Sequence, residues 1–288
     1  MDKRQAAAQL MKVSPALYRA AYSLYFRLGG ILDRPRYLSC LIGKRPYFGP
    51  AMLAAQTRPT RASHMRRAIQ MLIDRKKKEG GNDEFRLLEI GSWAGQSAIL
   101  WADELARSGY PGKIYCIDPW MPFALGTQVG VNNATQLMDN VARRDKIFPL
   151  FWHNVKSSGF ANFILPLRGK SADILPCLKP NSFDLVFVDG AHAYSPFLSD
   201  LTLAAPLVRQ DGFMCGDDLE LQSDEVDLSI AEENKERDYI SDPKTKCEYH
   251  PGISLGVSQF FQRKVSAYDG FWITRKNSDH WTDVHFLN

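Results

Sequence analysis

Short apolar runs alternate with helical patterns from Phe85 onward, and this alternation constrains the fold more than any other feature. The runs that read as strands are FRLLEIG (85–91), KIYCIDPW (113–120), FILPLRG (163–169), FDLVFVDG (183–190) and GFMCGDD (212–218). Strands separated by helices at this spacing build a parallel sheet covered on both faces. The sequence therefore predicts an α/β fold with a doubly wound, mostly parallel sheet. KVSAYDG and FWITRK (264–276) would close it as a terminal antiparallel hairpin.

Length and charge divide the chain. A chain of 288 residues can hold one large α/β domain and an accessory segment. Residues 1–80 carry 17 Lys and Arg against 4 Asp and Glu, whereas the remainder carries 19 against 28. We expect a basic helical arm over residues 1–80 and the main domain over 81–288. Within that domain, residues 219–250 form an acidic insertion with few large apolar side chains and a lid-like character.

The arm has helical patterns at 5–32 and 63–78, joined by a loop marked by Pro35 and Pro46. Its charge suits docking onto the acidic body, an anionic membrane surface or an acidic substrate. We expect it to mediate a homo-oligomer, with peripheral membrane contact as the alternative. Positive charge confined to the arm, without interleaved aromatic residues, argues against a nucleic-acid partner.

The cysteines and the N-terminus indicate the compartment. The five cysteines are odd in number, scattered and without metal-ligand spacing, which favours a reducing environment. The first ten residues, MDKRQAAAQL, lack the apolar core of a secretory signal. No run of residues is long and apolar enough to span a bilayer. We expect a cytoplasmic protein.

Two predicted strands stop at aspartate. FDLVFVDGAH ends in Asp189, with His192 three residues later, and GFMCGDD ends in Asp217 and Asp218. The carboxyl ends of neighbouring parallel strands share one edge, so these carboxylates can converge. Crowded carboxylates repel one another and raise their own pKa values unless a cation lies between them. Mg²⁺ or another hard divalent cation would meet that need. The alternatives are a turn pair at 217–218 and a helix cap at His192.

A glycine-containing turn lies between the first strand and its helix. In LLEIGSWAGQSAI (87–99), Gly91 and Gly95 allow the backbone to approach a ligand at the helix N-terminus. A dinucleotide fingerprint needs a glycine where this chain has Trp93, so a pyrophosphate is disfavoured there. Glu89 before the turn would also repel phosphate and would suit an ammonium group. The alternative is a turn that serves only the strand-to-helix geometry.

Asp118 ends the second strand, KIYCID, 23 residues after Gly95. An acidic residue at this position can accept hydrogen bonds from ribose hydroxyls. A lone aspartate at a strand end is more often a cap or turn residue, so its significance comes from the combination with Glu89 and Gly91.

Together, LLEIGSWAG, IYCID and FDLVFVDG resemble the first, second and fourth motifs of class I S-adenosylmethionine-dependent methyltransferases. The resemblance covers about residues 85–288 and implies a Rossmann-like, seven-stranded sheet that binds S-adenosylmethionine. It implies that Asp118 holds the ribose and that Ser171 lies beside the adenine. The remaining cofactor-binding residues that it implies are Glu89, Gly91, Ser92 and Gly95. Lys170 departs from the pattern, because related sequences often carry an acidic residue in this turn.

VDGAHAYSPFLSDL followed by GDD is similar to a narrower group. This group comprises metal-dependent O-methyltransferases that act on macrolide sugars, together with cephalosporin-hydroxylase-like proteins. The resemblance implies that Asp189, Asp217 and Asp218 hold Mg²⁺. It also implies that His192, or a metal-bound carboxylate such as Asp189, accepts the proton of the substrate hydroxyl.

The function predicted from the sequence is Mg²⁺-dependent O-methylation of a hydroxylated small molecule or glycan, with a sugar unit as one acceptor. Two alternative functions remain open from the sequence. One is a nucleotide-dependent oxidoreductase on the same sheet, which the missing glycine and the Asp217–Asp218 pair disfavour. The other is a non-catalytic module that uses the basic arm on a membrane or a nucleic acid.

Overall fold

The computed structural model describes residues 28–54, 59–81, 83–122 and 133–286, without the side chains of residues 59 and 133–137. The helical pattern at 5–27 and most of the 119–132 loop therefore lie outside the described residues. Ten strands are present in the described part of the chain: β1 Phe85–Ile90, β2 Gly112–Asp118, β3 Ile164–Arg168, β4 Phe183–Val188, β5 Val208–Leu219, β6 Ile240–Ser241, β7 Glu248–Tyr249, β8 Ser266–Tyr268, β9 Gly270–Asn277 and β10 His280–Asp283.

The main sheet has the order β10-β9-β5-β4-β1-β2-β3, with β8 paired to β9 as an eighth strand. Strands β3, β2, β1, β4 and β5 run parallel to one another, and β8, β9 and β10 complete the sheet with antiparallel pairs. The predicted α/β, doubly wound, Rossmann-like sheet is confirmed. The terminal hairpin turns at Asp269, and β10 is a strand that the sequence pattern did not predict.

Nine helices flank or connect these strands in the same described ranges: α1 Arg34–Ile42, α2 Pro59–Lys78, α3 Gln96–Ser108, α4 Asn133–Arg143, α5 Ile147–Ser157, α6 Ser171–Ile174, α7 Tyr194–Ala204, α8 Leu228–Glu233 and α9 Pro251–Phe261. Three of them, α1, α5 and α8, differ from prediction, and α8 lies in the acidic insertion. The expected loop at Pro35 is helical, because proline at the first or second helical position gives up no hydrogen bond. Helix α5 was missed; its IFPLF start reads as easily as a buried strand.

The arm contributes to the core of the main domain. Met65, Ile69 and Leu72 of α2 are at most 2% exposed and belong to the same apolar cluster as Phe85 of β1. Asn154 in α5 is fully buried and links two segments, because its side-chain amide donates to the carbonyls of Tyr47 and Ala94. Residues 47–54 and 59–78 therefore pack onto the main domain.

Helix α1 and the residues before it present apolar groups to solvent. Leu32 is 78% exposed and Ile42 is 84% exposed, and Leu28, Ile31 and Leu38 are also exposed. The homo-oligomer and the membrane contact expected of the arm remain predictions. In the described ranges, no helix combines the length and the apolar character needed to cross a bilayer.

The acidic insertion has secondary structure of its own. It contains α8 and the antiparallel pair β6–β7, and a small apolar cluster forms from Val226, Ala231, Tyr249 and Leu255. Asp227 caps α8 by accepting hydrogen bonds from the backbone N–H groups of Ser229 and Ile230. This insertion therefore packs beside the end of β5 and brings Asp238 to the same edge of the sheet.

Candidate active site

The carboxyl ends of β1, β4 and β5 are neighbours, so the residues that follow these strands meet at one edge. Asp189 follows β4, and Asp217 and Asp218 lie near the end of β5. The pairing of β5 with β9 shifts register between Gly216 and Leu219, and Asp218 has a φ of 64°. A bulge of this kind re-aims side chains at a sheet edge. At Asp217 and Asp218, the bulge interrupts the regular alternation of side chains between the two faces of the sheet.

The glycine turn after β1 lies directly against the residues after β4. Gly91 has a φ of 87°, and a Cβ placed on it would lie 2.1 Å from the Asp189 carbonyl oxygen. The backbone N–H of Asp189 donates to the Ile90 carbonyl at 2.9 Å. Only glycine allows this approach, so the turn and the acidic strand end form one continuous surface. Gly95 has a φ of 82° and precedes α3, with Phe151 packed against its open side.

Asp118 braces this turn from the neighbouring strand. Its Oδ2 accepts hydrogen bonds from the backbone N–H groups of Ser92, at 3.0 Å, and Trp93, at 2.8 Å. Its Oδ1 accepts a third, from Trp120 N–H at 2.5 Å. The structure thus gives Asp118 the role of a turn and cap residue. Ribose binding by Asp118 remains a prediction that would use the oxygens' remaining lone pairs.

Glu89 is the most isolated charged group at this edge. It is 0% exposed, and neither carboxylate oxygen accepts a hydrogen bond from the described residues, although Ser92 and Ser97 lie near. Burial raises the pKa of its carboxyl to about 7. Among the described residues, Ser92 Oγ and Trp101 Nε1 are also buried without a hydrogen-bond partner. Because buried polar groups normally have partners, the two Glu89 oxygens fit a ligand that carries its own donors, such as the ammonium of an amino-acid moiety.

Trp93 ties the turn to the arm. It is left-handed, with a φ of 43°, and its indole N–H donates to the Leu53 carbonyl at 2.8 Å. The Trp120 indole N–H donates to the Trp93 carbonyl at 2.7 Å. Both rings are nearly buried and form a wall of the turn.

Ser171 begins α6, just after β3. Its hydroxyl donates to Asp200 Oδ1 at 2.5 Å, and burial raises the pKa of Asp200 to about 6. A Cβ on Gly190 would lie 3.2 Å from Asp200 Oδ2. The hydrogen-bonded pair of Ser171 and Asp200 therefore lies next to the residues that follow β4. The predicted contact of Ser171 with an adenine remains a prediction.

The three aspartates predicted to hold a cation differ in their surroundings. No described residue is hydrogen-bonded to the Asp189 carboxylate, and burial together with the charges of Asp217 and Asp218 raises its pKa well above the usual range. Asp217 has one buried oxygen, Oδ1, without a partner, and burial with the charge of Asp218 raises its pKa to about 7. Burial acts in the same direction on Asp218, but hydrogen bonding to His192 outweighs it and lowers the pKa.

An arginine from the arm enters this cluster. Arg61, at the start of α2, is 4% exposed, and its Nη1 donates to Asp217 Oδ2 at 2.5 Å and to Asp218 Oδ1 at 2.8 Å. Its Nη2 donates to Glu220, and its Nε to the Asp269 carbonyl at 3.2 Å. Burial opposes the charge of Arg61, yet the facing carboxylates raise its pKa above the usual value. Part of the positive charge predicted at this site therefore comes from the chain itself.

His192 lies between two carboxylates. Its Nε2 is 3.1 Å from Asp218 Oδ2, and its Nδ1 is 2.7 Å from Asp238 Oδ1. Burial lowers the pKa of His192, but its hydrogen bonds to Asp218 and Asp238 outweigh burial and hold the pKa well above its usual value. The predicted helix cap is not observed, because the N-cap of α7 is Ala193.

A second histidine completes the cluster. His250 precedes α9, its ring centroid is 4.5 Å from that of His192, and its Nδ1 lies 3.1 Å from Glu220 Oε2. Among the described residues, the cluster around Arg61 and His192 thus gathers five carboxylates, two imidazoles and one guanidinium: Asp189, Asp217, Asp218, Glu220, Asp238, His192, His250 and Arg61. Arg61, Glu220 and Asp238 were not predicted. In the sequence, these three residues are distinguished only by their charge, and many surface residues are charged as well.

The side chains present fit a divalent cation. Asp189, His192 and Asp218 each place one ligand atom within 4.8 Å of the others. No described residue is hydrogen-bonded to the carboxylate of Asp189, which also indicates missing positive charge. Oxygen and imidazole donors are suitable ligands for such an ion.

The sequence comparisons agree with this geometry. Residues 88–219 match the family model described as a methyltransferase domain. They form a class I methyltransferase domain. Among curated proteins, the comparison finds no match.

Solved structures resemble the methyltransferase domain and its surroundings. The O-methyltransferase NovP superposes with a TM-score of 0.52 at 15% identity, covering 76% of this chain and 80% of NovP. An O-methyltransferase from Bacillus cereus in complex with SAH has a TM-score of 0.46 at 14% identity, covering 77% and 83%. The calicheamicin methyltransferase CalS11 has a TM-score of 0.47 at 12% identity, covering 75% and 78%. The likeness to NovP shows the fold.

The methyltransferase domain contains most of the residues predicted for cofactor and metal. Glu89, Gly91 and Gly95 lie on or beside its first turn, and Asp189 lies against Gly91. The match decides against the nucleotide-dependent oxidoreductase and the non-catalytic module. Arg61, Glu220, Asp238 and His250 lie outside residues 88–219, so the match does not cover them.

Proposed function

We propose that this protein is a divalent-cation-dependent O-methyltransferase that uses S-adenosylmethionine to methylate a hydroxylated small molecule or glycan. A sugar unit with neighbouring hydroxyl groups is the acceptor class that we propose. The proposal joins the methyltransferase domain to the chemistry of the adjacent cluster of carboxylates and imidazoles.

The observation that carries this proposal is the contact between Gly91 and Asp189. The turn that would hold the methyl donor and the carboxylate that would face the acceptor touch through their backbones. A methyl group placed at this turn is therefore close to any hydroxyl held by the acidic cluster. Holding two reactants in such proximity supplies much of the rate enhancement of a transfer reaction.

In the cofactor pocket, the chain's own residues would orient the donor. The buried carboxylate of Glu89 suits the ammonium of the methionine part, which would supply the hydrogen-bond donors that the oxygens lack. Asp118 keeps the turn open by holding the N–H groups of Ser92 and Trp93. The wall of Trp93 and Trp120 would exclude water from the transferring methyl group.

At the acceptor side, Asp189 and Asp218 would hold the cation together with their neighbours. Mg²⁺, or another divalent cation, would polarise and acidify a bound hydroxyl when present. For the proton we favour the Asp189 carboxylate over His192. Both nitrogens of His192 already face carboxylates, whereas no described residue is hydrogen-bonded to the carboxylate of Asp189.

The test is methyl transfer from labelled S-adenosylmethionine to a panel of sugars and phenols that differ in vicinal hydroxyl groups. We expect transfer to acceptors with two adjacent hydroxyls, its loss in EDTA and its recovery on addition of Mg²⁺ or Mn²⁺. Asp189→Asn should remove activity, because charge and orientation are lost together.

Asp173→Asn is the matched control, since Asp173 lies in exposed α6 and outside the cluster. Undiminished transfer in chelator would disprove the cation dependence and leave the methyltransferase assignment intact. Binding of S-adenosylmethionine without transfer to any hydroxyl would disprove the acceptor class.

A further inference from the structure

We propose that His192, oriented by Asp238, is itself a ligand of the cation together with Asp189 and Asp218, and that Arg61 excludes Asp217 from the ligand set. This inference rests on the proposed function, because it concerns the same cation. It departs from the three-aspartate set that the sequence resemblance implies, and it changes the chemical class of ion that the site takes.

Arg61 lies where a cation bound by Asp217 and Asp218 would lie. Its Nη1 lies 2.5 Å from Asp217 Oδ2 and 2.8 Å from Asp218 Oδ1, so the guanidinium occupies the space between these two oxygens. A cation shared by these two oxygens would have to displace the guanidinium. Its other nitrogens are fixed by Glu220 and by the Asp269 carbonyl, and its side chain is 5% exposed. Arg61 is therefore a built-in partner for Asp217.

His192 has the hydrogen-bonding geometry of a metal-binding histidine. Histidines that bind metal usually donate the N–H of their other ring nitrogen to a carboxylate, which fixes the ring. Asp238 accepts from His192 Nδ1 at 2.7 Å, and the opposite nitrogen, Nε2, faces Asp218 Oδ2 at 3.1 Å. With Asp189 close by, these three side chains offer one nitrogen and two oxygens to a single point.

The donor set determines the expected ion. Mg²⁺ prefers oxygen ligands, whereas imidazole favours divalent first-row transition metals. A site of two carboxylates and one imidazole therefore suits Mn²⁺, Fe²⁺, Co²⁺ or Zn²⁺ better than Mg²⁺. The adjacent His250 does not compete for the same role, because its Nδ1 faces Glu220 rather than Asp189.

The experiment uses the full chain and Mn²⁺ alone. We expect pulsed electron paramagnetic resonance of the bound Mn²⁺ to show the nitrogen coupling typical of an imidazole ligand. The coupling should be lost in His192→Gln and retained in His250→Gln, the neighbouring histidine. Asp217→Asn should still bind Mn²⁺ with the coupling unchanged. Circular dichroism of each variant establishes that it is folded.

Two results would overturn the inference. Bound Mn²⁺ without nitrogen coupling in the wild-type protein would return the site to carboxylates alone and would leave the proposed function standing. Loss of Mn²⁺ binding in folded Asp217→Asn, at a concentration that saturates the wild type, would show that Asp217 is a ligand. Wild-type protein that binds no divalent cation would instead overturn the cation dependence of the proposed function, and this inference with it.

Discussion

Gly91 and Asp189 lie in such close contact that a Cβ on Gly91 would meet the Asp189 carbonyl oxygen at 2.1 Å. The turn after β1 and the end of β4 are therefore held at a spacing that only glycine permits. Several expected outcomes depend on this junction and on the charged groups beside it.

Gly91→Ala should weaken binding of S-adenosylmethionine by at least about tenfold, since about 1.4 kcal/mol of distortion at the turn is sufficient. The matched control is Gly109→Ala, where φ is also positive, at 66°, but nothing lies within 4 Å of the added Cβ. Both positions have a positive φ, so a loss of affinity in Gly91→Ala alone shows that the effect arises at the turn after β1. Calorimetric titration measures it, and equal affinities in the two variants would contradict the prediction.

Arg61→Gln should lower the free energy of unfolding by about 3–5 kcal/mol, because breaking a buried ion pair leaves uncompensated charge. Arg66→Gln on the same helix should cost less than about 1 kcal/mol, since Arg66 is 40% exposed and its carboxylate partners lie 3.5 and 3.6 Å away. Urea denaturation without added metal measures both. Similar losses for the two variants would show that Arg61 contributes only a surface ion pair.

Glu89 should make stability depend on pH. Its pKa rises from about 4.5 to about 7 on folding, so the folded chain retains a proton that the unfolded chain releases. This contribution is complete below about pH 4.5 and is lost as the pH rises through about 7, which amounts to about 3 kcal/mol. Glu89→Gln should flatten the stability curve over this range. Thermal unfolding from pH 4 to pH 8.5 measures it, and parallel curves for the two proteins would refute the prediction.

Asp118→Asn should destabilise the fold by about 1–3 kcal/mol for each backbone donor that loses its acceptor. The amide nitrogen would face N–H groups that now donate to a carboxylate oxygen. Denaturation in urea without cofactor separates this role from ribose binding. A variant with unchanged stability and weakened S-adenosylmethionine affinity would show that Asp118 acts on the cofactor instead.

The parallel core of the fold was predictable from the sequence because buried strands leave a strong local signal. Runs such as LVFV, within β4, are apolar throughout, and their spacing with helices predicts the doubly wound order. Helix α5 was missed because IFPLF carries no periodicity that separates a helix from a strand. The helix at Pro35 was missed because a proline within a segment looks the same whether it starts a helix or breaks one.

The candidate site was predictable only where chemistry follows a strand end. Asp189, Asp217 and Asp218 were found in this way, since parallel topology brings strand ends together. Arg61 was not, because it lies 156 residues before Asp217 in a helix that contains many other charged residues. Asp238 was missed for the same reason. It stands among the many charged residues of the insertion, and only tertiary packing distinguishes it.

The burial of Arg61 has a consequence for how this protein can change over generations. Arg61 of α2 neutralises carboxylates at the end of β5. We therefore expect that neither segment can be exchanged for its counterpart from a distant relative unless the other is exchanged with it. A chimera that kept the sheet but replaced α2 would inherit carboxylates without their arginine. We therefore expect residues 59–78 and 217–220 to change together among relatives, although strands β1 to β4 lie between them in the sequence.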